Sequence, residues 1–322
     1  MTDLLVIGAG PVGLYAAYYA GFRGLRVALV DSLPEAGGQV TAMYPEKLIF
    51  DVAGFPAVLG RELVAALVEQ ASRWAPRYLL GRQARALSER FDGEPGWRVT
   101  MADGAAVEAG AVLVTAGIGE FTPKPLPAGG EWLGRGLMHF VTSPAHLAMK
   151  DVVIVGGGDS AFDWALTLCP IARSVTLVHR RDKFRAHAGT VEEVRASSVV
   201  MRTGCEVVAI DGDDHVTQVQ IRDSDGVIDK LPAQAVVAAL GFNADLGPIR
   251  EWGLDLVKRD IAVDTTMQTS RERVYAAGDV ATYPGKVKLI ATGFGEAATA
   301  VNNIAVTLDP SAHLFPGHSS GG

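Results

Sequence analysis

Cysteine is nearly absent: Cys169 and Cys205 are the only two in 322 residues. They stand 36 positions apart (169 to 205) with no histidine-rich metal spacing beside them, which argues against a disulfide framework or a zinc-type ligand set. Both read as buried small hydrophobes. No apolar run approaches membrane-spanning length. Met1-Thr2-Asp3 passes straight into the apolar Leu4 to Ile7 without a basic leader, so the cytosol is the expected compartment. Excess positive charge is also missing. A formal net charge of −7 argues against bulk nucleic-acid binding, while leaving room for a local basic surface that receives an acidic protein. Arg73, Arg77, Arg82, Arg85 and Arg90 are candidates for that surface, and a solvated basic face is the competing reading. What remains is ordinary globular composition, 48% hydrophobic and 20% charged, on a chain long enough for two domains. The 37 glycines follow no collagen-like period, so they read as turns and close backbone contacts.

One unit occurs twice. Leu4 to Ile7, then Gly8-Ala9-Gly10-Pro11-Val12-Gly13, then an apolar stretch through Ala20 reads as strand, tight turn and helix, with a second strand at Arg26 to Val30 ending on Asp31. Val152 to Val155, then Gly156-Gly157-Gly158-Asp159-Ser160-Ala161, then a helix through Leu168 repeats it, with a second strand at Ser174 to Val178 ending on His179. From first glycine to the end of the second strand the interval is 23 residues in both copies (8 to 31, 156 to 179). Each copy closes on an apolar strand ending in glycine, Val112 to Gly117 and Val236 to Gly241. The expected fold class is therefore α/β, with two Rossmann-like dinucleotide-binding domains. Alternation and the Asp103-Gly104 and Asp225-Gly226 turns predict β-ribbon crossovers between Arg98 and Val107 and from Cys205 to Leu231. A late strand, Val274 to Ala277, and a helix from Gly295 to Leu308 return to complete the first domain. The second domain is thus inserted into the first, with crossings near 118–122 and 243–247. The expected division is 1–120 with 245–322 for FAD, and 121–244 for NADPH.

A glycine turn between strand and helix lets backbone approach a pyrophosphate while helix-terminal N–H groups face its charge, and an acidic residue about twenty positions on accepts ribose hydroxyls. Gly8, Gly10, Gly13 and Asp31 meet those conditions. In the second copy Gly156, Gly158 and Ala161 take the three turn positions, and the acid is replaced by His179, Arg180 and Arg181, with Lys183 and Arg185 beyond. That cluster suits a 2′-phosphate and marks NADP, against the alternative of a solvated basic turn. Two such sites make a relay in which one cofactor delivers hydride and a flavin holds two electrons and releases them singly. Asp279, after the late strand, is a candidate acceptor for a ribityl hydroxyl of FAD, or simply a turn aspartate. The helix expected from Gly295 would aim its N-terminal dipole at the flavin pyrimidine.

These runs, with Gly37-Gly38-Gln39 and Ala277-Gly278-Asp279, resemble the low-molecular-weight thioredoxin reductase-like flavoproteins over essentially the whole chain. Where members that reduce thioredoxin carry two cysteines two residues apart, this chain has Phe140-Val141-Thr142-Ser143. It is instead similar to the thioredoxin reductase-like ferredoxin–NADP reductases through Met43-Tyr44-Pro45-Glu46-Lys47, Asp51 to Pro56, Gly157 to Leu166 and His179 to His187. The resemblance implies a homodimer carrying FAD, reduced by NADPH at flavin N5 and passing single electrons to ferredoxin or flavodoxin. It implies an aromatic sandwich on the flavin, Tyr44 on one face and His318 on the other. It also carries Pro11, Gly38, Gln39, Asp159, Ser160 and Ser320 over as cofactor contacts. No metal is expected, nor a nucleic-acid or membrane partner. A disulfide reductase without its cysteine pair and an NADPH-sensing flavoprotein without turnover are the alternatives.

Overall fold

The computed structural model describes residues 2–90, 93–315 and 317. Its helices, in chain order, are α1 (Pro11–Phe22), α2 (Gln39–Met43), α3 (Gly60–Ser72), α4 (Asp159–Leu168), α5 (Ala188–Ala196) and α6 (Ile290–Leu308). The chain divides into two compact units, Met1–Glu120 with Ala244–Gly322, and Phe121–Asn243.

In the first unit the strand Thr2–Ile7 lies between Val27–Val30 and Ala106–Val114, parallel to both, and Arg77–Leu79 extends the sheet beyond Val27–Val30. Ala106–Val114 changes its outer partner along its length. Its first half pairs antiparallel with Trp97–Met101, and its second half pairs in parallel with the late strand Val274–Ala276. The expected ribbon is therefore present, turning at Gly104 with a positive φ of 83°, and it gains a third strand, Ala84–Glu89. The Leu4 to Ile7 run is continuously apolar because the sheet is covered on both faces. Leu4 and Val6 pack with Leu14 of α1, Leu63 of α3 and Val301 of α6, whereas Leu5 and Ile7 pack with Val99, Ile249 and Trp252.

The second unit repeats this layering. Five parallel strands run in the order Leu137–Met138, Ala235–Ala238, Asp151–Val155, Ser174–His179, Val200–Thr203. Val152 and Ile154 pack on Phe162 of α4 and Val194 of α5, while Val153 and Val155 face Val207, Val219 and Ile221. Those last three belong to an antiparallel sheet of Glu206–Gly212, Val216–Arg222 and Ile228–Pro232. This is the second expected ribbon.

Two expectations need correcting. α6 begins at Ile290 rather than at Gly295, because Gly293 and Gly295 are helix-interior residues and no side chain caps the helix at Leu289. Gly293 is required by packing: a Cβ there would stand 2.4 Å from Val12 Cγ2 and 3.3 Å from Gly278 Cα. The flavin-directed dipole therefore cannot originate at Gly295. Cys205 is buried as expected, but Cys169 is only half-buried, since it follows the last turn of α4 and sets its Sγ 3.1 Å from Ser198 Oγ.

At the lower edge of the second sheet, Asp151 accepts from Arg173 Nε at 2.9 Å and Ser174 Oγ at 2.7 Å, and donates its backbone N–H to Gln234 Oε1 at 2.8 Å. The Arg173 hydrogen bonds hold its carboxyl near a pKa of about 2, below the usual 3.8. A carboxyl depressed on folding stabilises the fold above its unfolded pKa and loses that contribution as pH falls through the folded value. Asp151→Asn is therefore expected to lower the thermal midpoint by several degrees at pH 7. The gap to the native protein should close as pH falls from about 4 to about 2, measured by circular-dichroism melts.

Candidate functional site

The three positions of each glycine turn meet three different environments, and the environments match between the copies. At the first position a Cβ on Gly8 would lie 2.5 Å from Thr115 O, and one on Gly156 would lie 2.4 Å from Ala239 O, both carbonyls just beyond the closing strand. At the second position nothing lies within 4 Å of a Cβ on Gly158, and only Gly38 Cα, at 3.9 Å, is within reach of one on Gly10. At the third position a Cβ on Gly13 would stand 1.9 Å from Gly8 O, while Ala161 keeps its methyl group and is fully buried. The first glycine thus passes under a strand, the second faces open space, and the third packs helix on turn. Gly10 and Gly158 cap α1 and α4 without a side-chain hydrogen bond, so the N–H groups of Val12 and Gly13, and of Asp159 and Ser160, stay open to an anion, whereas Ala161 N–H already donates to Gly158 O at 3.0 Å. Pro11 sits at the first helical position, where a missing N–H costs nothing.

In the second unit a cleft of about 560 Å³ opens over this turn. Gly156, Gly158, Asp159, Ser160, His179, Arg180, Arg181 and Arg185 all line it, so the structure gathers those sequence-derived candidates in one place. Arg180, Arg181, Lys183 and Arg185 are exposed, and none has an ion-pair partner among the described residues. The loop that carries them is held at its carboxyl end: Arg185 N–H donates to Gly157 O at 2.7 Å, and His187 N–H donates to Asp159 Oδ1 at 2.9 Å. Asp159 is therefore occupied in part with shaping the basic loop. The His179 ring lies against Gly157, where a Cβ would come within 2.3 Å of it. Burial lowers its pKa first, the neighbouring arginines add to that, and a 3.3 Å contact with Lys183 O opposes them. Sequence reasoning missed Lys124, Glu206 and Leu240, which line the same cleft. Lys124 has no motif around it, and Glu206 and Leu240 belong to the ribbon and the closing strand, whose patterns signal fold rather than binding.

In the first unit Asp31 accepts Ala9 N–H at 2.6 Å and Leu33 N–H at 2.8 Å. Burial pushes its carboxyl upward, and those two N–H groups pull it back. Gly37 and Gly38, with φ of 108° and 58°, bring α2 against the turn: Gly37 N–H donates to Ala9 O, and a Cβ on Gly38 would lie 3.0 Å from Gly10 Cα. Gln39 opens α2 with its side-chain amide 2.8 Å from where a Cβ on Gly117 would be. Tyr44 ends α2, its hydroxyl pushed up to about 12 by burial, with the Asp279 and Asp51 charges adding to the shift. Asp279 follows the late strand, its carboxyl raised by burial against the pull of Lys286 and Lys288. Asp279 is thus close enough for its charge to reach the Tyr44 hydroxyl. Sequence reasoning also missed Glu296, a buried acid on α6 that accepts Gly278 N–H at 2.7 Å. Its one sequence signal is a lone charge within an apolar helical stretch. His318 and Ser320 lie outside the described residues.

The profile of the family described as pyridine nucleotide-disulphide oxidoreductase matches residues 2–303. The chain belongs to the pyridine nucleotide-disulphide oxidoreductases. Among curated relatives, a ferredoxin–NADP reductase of Saccharopolyspora erythraea is 67% identical over 322 residues, covering 99% of this chain and 97% of that protein. A ferredoxin–NADP reductase of Thermus thermophilus is 47% identical over 326 residues, covering 99% and 96%. Among solved structures, T. acidophilum thioredoxin reductase superimposes with a TM-score of 0.80 at 27% identity, covering 97% of this chain and 99% of that one. The two cysteines of this pyridine nucleotide-disulphide oxidoreductase are both free. Cys205 Sγ donates to Thr203 O, and in the Phe140 to Ser143 stretch Phe140 stacks on Phe242 with ring centroids 5.4 Å apart.

The turn geometry separates folding from binding. Gly13→Ala is expected to destabilise the protein by roughly 1–3 kcal/mol or more, because its Cβ meets backbone. Gly158→Ala should fold with a midpoint close to native yet bind the nicotinamide dinucleotide more weakly, since its Cβ projects into open cleft. Denaturant unfolding and nucleotide titration of both variants check this; equal stability losses would contradict it.

Proposed function

We propose that the protein is a ferredoxin–NADP reductase: the first unit holds FAD, the second holds NADPH, and electrons pass to ferredoxin or flavodoxin. The observation that carries this reading is the pair of glycine turns with matching environments whose chemistry diverges 23 residues on (8 to 31, 156 to 179), into Asp31 in one and the basic loop in the other. High identity to proteins named ferredoxin–NADP reductase over nearly their whole length supports the same reading.

The residues of the first unit fit an adenine dinucleotide. Gly10 and Gly38 face each other without side chains, α1 presents open N–H groups, and Asp31 offers a carboxylate held by backbone to a ribose. When bound, FAD supplies acceptance of two electrons as hydride and their release one at a time. Gly8, Gly13, Pro11 and Gln39 shape the cradle, Asp279 is the acceptor for ribityl hydroxyls, and Tyr44 covers one flavin face. The buried, high-pKa hydroxyl of Tyr44 stays protonated at neutral pH, so its role is packing and exclusion of water rather than proton transfer. His318 is proposed for the other face, and Ser320 as a further cofactor contact. In the second unit the N–H groups at Gly158 to Ser160 receive the pyrophosphate of NADPH, and Arg180, Arg181 and Arg185 receive its 2′-phosphate.

No helix is long and apolar enough to cross a membrane among the described residues, and the cytosol is the proposed compartment. A homodimer is proposed as well. Tyr15, Tyr19 and Phe22 on α1, with Phe294 of α6, form a half-exposed aromatic stripe of the kind a second copy covers.

Steady-state turnover with NADPH against ferredoxin, flavodoxin and thioredoxin tests the reading. Reduction of ferredoxin or flavodoxin without reduction of thioredoxin is the expected result. Thioredoxin-coupled turnover would revive a disulfide reductase, and flavin reduction with no competent acceptor would favour a sensor. Replacing Arg180 and Arg181 together by alanine should raise KM for NADPH roughly tenfold or more and leave NADH almost untouched. Equal losses with both nucleotides would assign the arginines to folding.

A further inference from the structure

Glu296 is a charged residue buried in the first unit, 4% exposed on the second turn of α6. Its Oε2 accepts Gly278 N–H at 2.7 Å; its Oε1 accepts Tyr283 Oη–H at 2.7 Å and pairs with Lys286 Nζ. The Lys286 side chain is itself only 5% exposed, and its Nζ lies 5.6 Å from the centre of the Tyr283 ring. A buried ion pair is a poor source of stability, because apolar residues of similar volume usually do as well. What the pair supplies is geometry. Gly278 has a left-handed φ of 81°, and a Cβ there would meet Val12 Cγ2 of α1 at 3.2 Å. The carboxylate thus fixes a turn wedged between α1 and α6, and the next residue is Asp279. Burial raises the Asp279 carboxyl, and Lys286 is the largest charge opposing that rise. One ammonium therefore serves two carboxylates. Lys288 is a weaker second source, since it is exposed and already paired with Asp260.

We infer that Lys286 and Glu296 are positioning residues of the flavin site: the buried pair, closed by Tyr283, holds the Gly278-Asp279 turn in place and keeps that edge of the site neutral apart from Asp279. This rests on the reading that the first unit holds FAD. The test compares the native holoprotein with Lys286→Met, Glu296→Gln and the double variant. FAD release on dilution is followed by flavin fluorescence, and the midpoint potential of the bound flavin by dye-coupled photoreduction. Each single variant should weaken FAD binding by roughly tenfold or more, because one charge is left buried without its partner. The double variant should lose less than the two singles combined, since a Gln carbonyl still accepts Gly278 N–H and no charge remains. The potential should fall in Lys286→Met and rise in Glu296→Gln, as charges of opposite sign are left behind, whereas a merely structural role would move both the same way. Single variants that bind FAD within about twofold of native, or that shift the potential in the same direction, overturn the inference. If a single variant does not fold, the double decides: FAD affinity within about threefold of native sustains the pair as a unit, and loss of FAD overturns it. None of these readouts needs an electron acceptor, so failure of ferredoxin turnover is a separate result.

Discussion

A carbonyl just past each closing strand leaves no room for a Cβ on the first residue of each glycine turn, and the rest of both sites depends on that closeness. With Thr115 O above Gly8 and Ala239 O above Gly156, the chain leaves its first strand directly beneath the neighbouring one. The helix that follows must therefore start at the carboxyl end of the sheet with its open N–H groups over the strand ends. Thr115 reinforces this in the first unit by donating its hydroxyl to Gly8 O at 2.9 Å. Once the helix start is placed, the third residue has little choice. Gly13 lies so near Gly8 O that no side chain fits, while the second turn has just enough slack for the methyl of Ala161. Only the second glycine is left without a packing reason. Its smallness makes sense if a ligand approaches there.

The two units share this scaffold and differ at its rim. Both are three-layered, with helices on one face of a parallel sheet and an antiparallel ribbon on the other, and in both the apolar strand alternates its residues between those layers. Continuous apolar runs such as Leu4 to Ile7 and Val152 to Val155 are a consequence of double coverage, not of a membrane or a single core. The chemistry is attached afterwards, at the end of the second strand.

Much of this was legible in the chain because several local rules agree. Strand runs, turn glycines, helix lengths and the Asp-Gly ribbon turns each favour the same units, and the 23-residue interval repeats in both copies (8 to 31, 156 to 179). Legibility stops where a residue's meaning comes from a distant neighbour. Gly293 looks like a helix breaker, but it is small because Val12, far away in sequence, packs against it. Glu296 looks like a solvated helix charge until Gly278, Tyr283 and Lys286 close around it. Lys124 lines the cleft from a segment whose backbone N–H donates to the distant Gly241 O at 3.0 Å. Cys169 reads as core because it ends an apolar helix, and only the fold reveals its half-exposed position.

The same contrast separates the two ribose-end sites. Asp31 is tied into the fold, since its oxygens already accept Ala9 and Leu33 N–H and burial works against its charge. Its contribution to binding therefore cannot be altered without disturbing the turn it braces. The basic loop is different. Several other arginines are matched to carboxylates, as Arg26 is to Asp3, Arg98 to Glu108 and Arg250 to Asp245. Arg180, Arg181 and Arg185 are exposed and, among the described residues, without an ion pair, on a loop whose backbone N–H groups donate to Gly157 O and to the Asp159 carboxylate. Lys124, Arg180, Arg181, Lys183 and Arg185 against Asp159 and Glu206 leave the cleft lining cationic on a chain of net charge −7. Because side chains supply the charge and backbone supplies the shape, preference for an added phosphate can change without the fold changing, whereas the acidic site cannot be exchanged so freely.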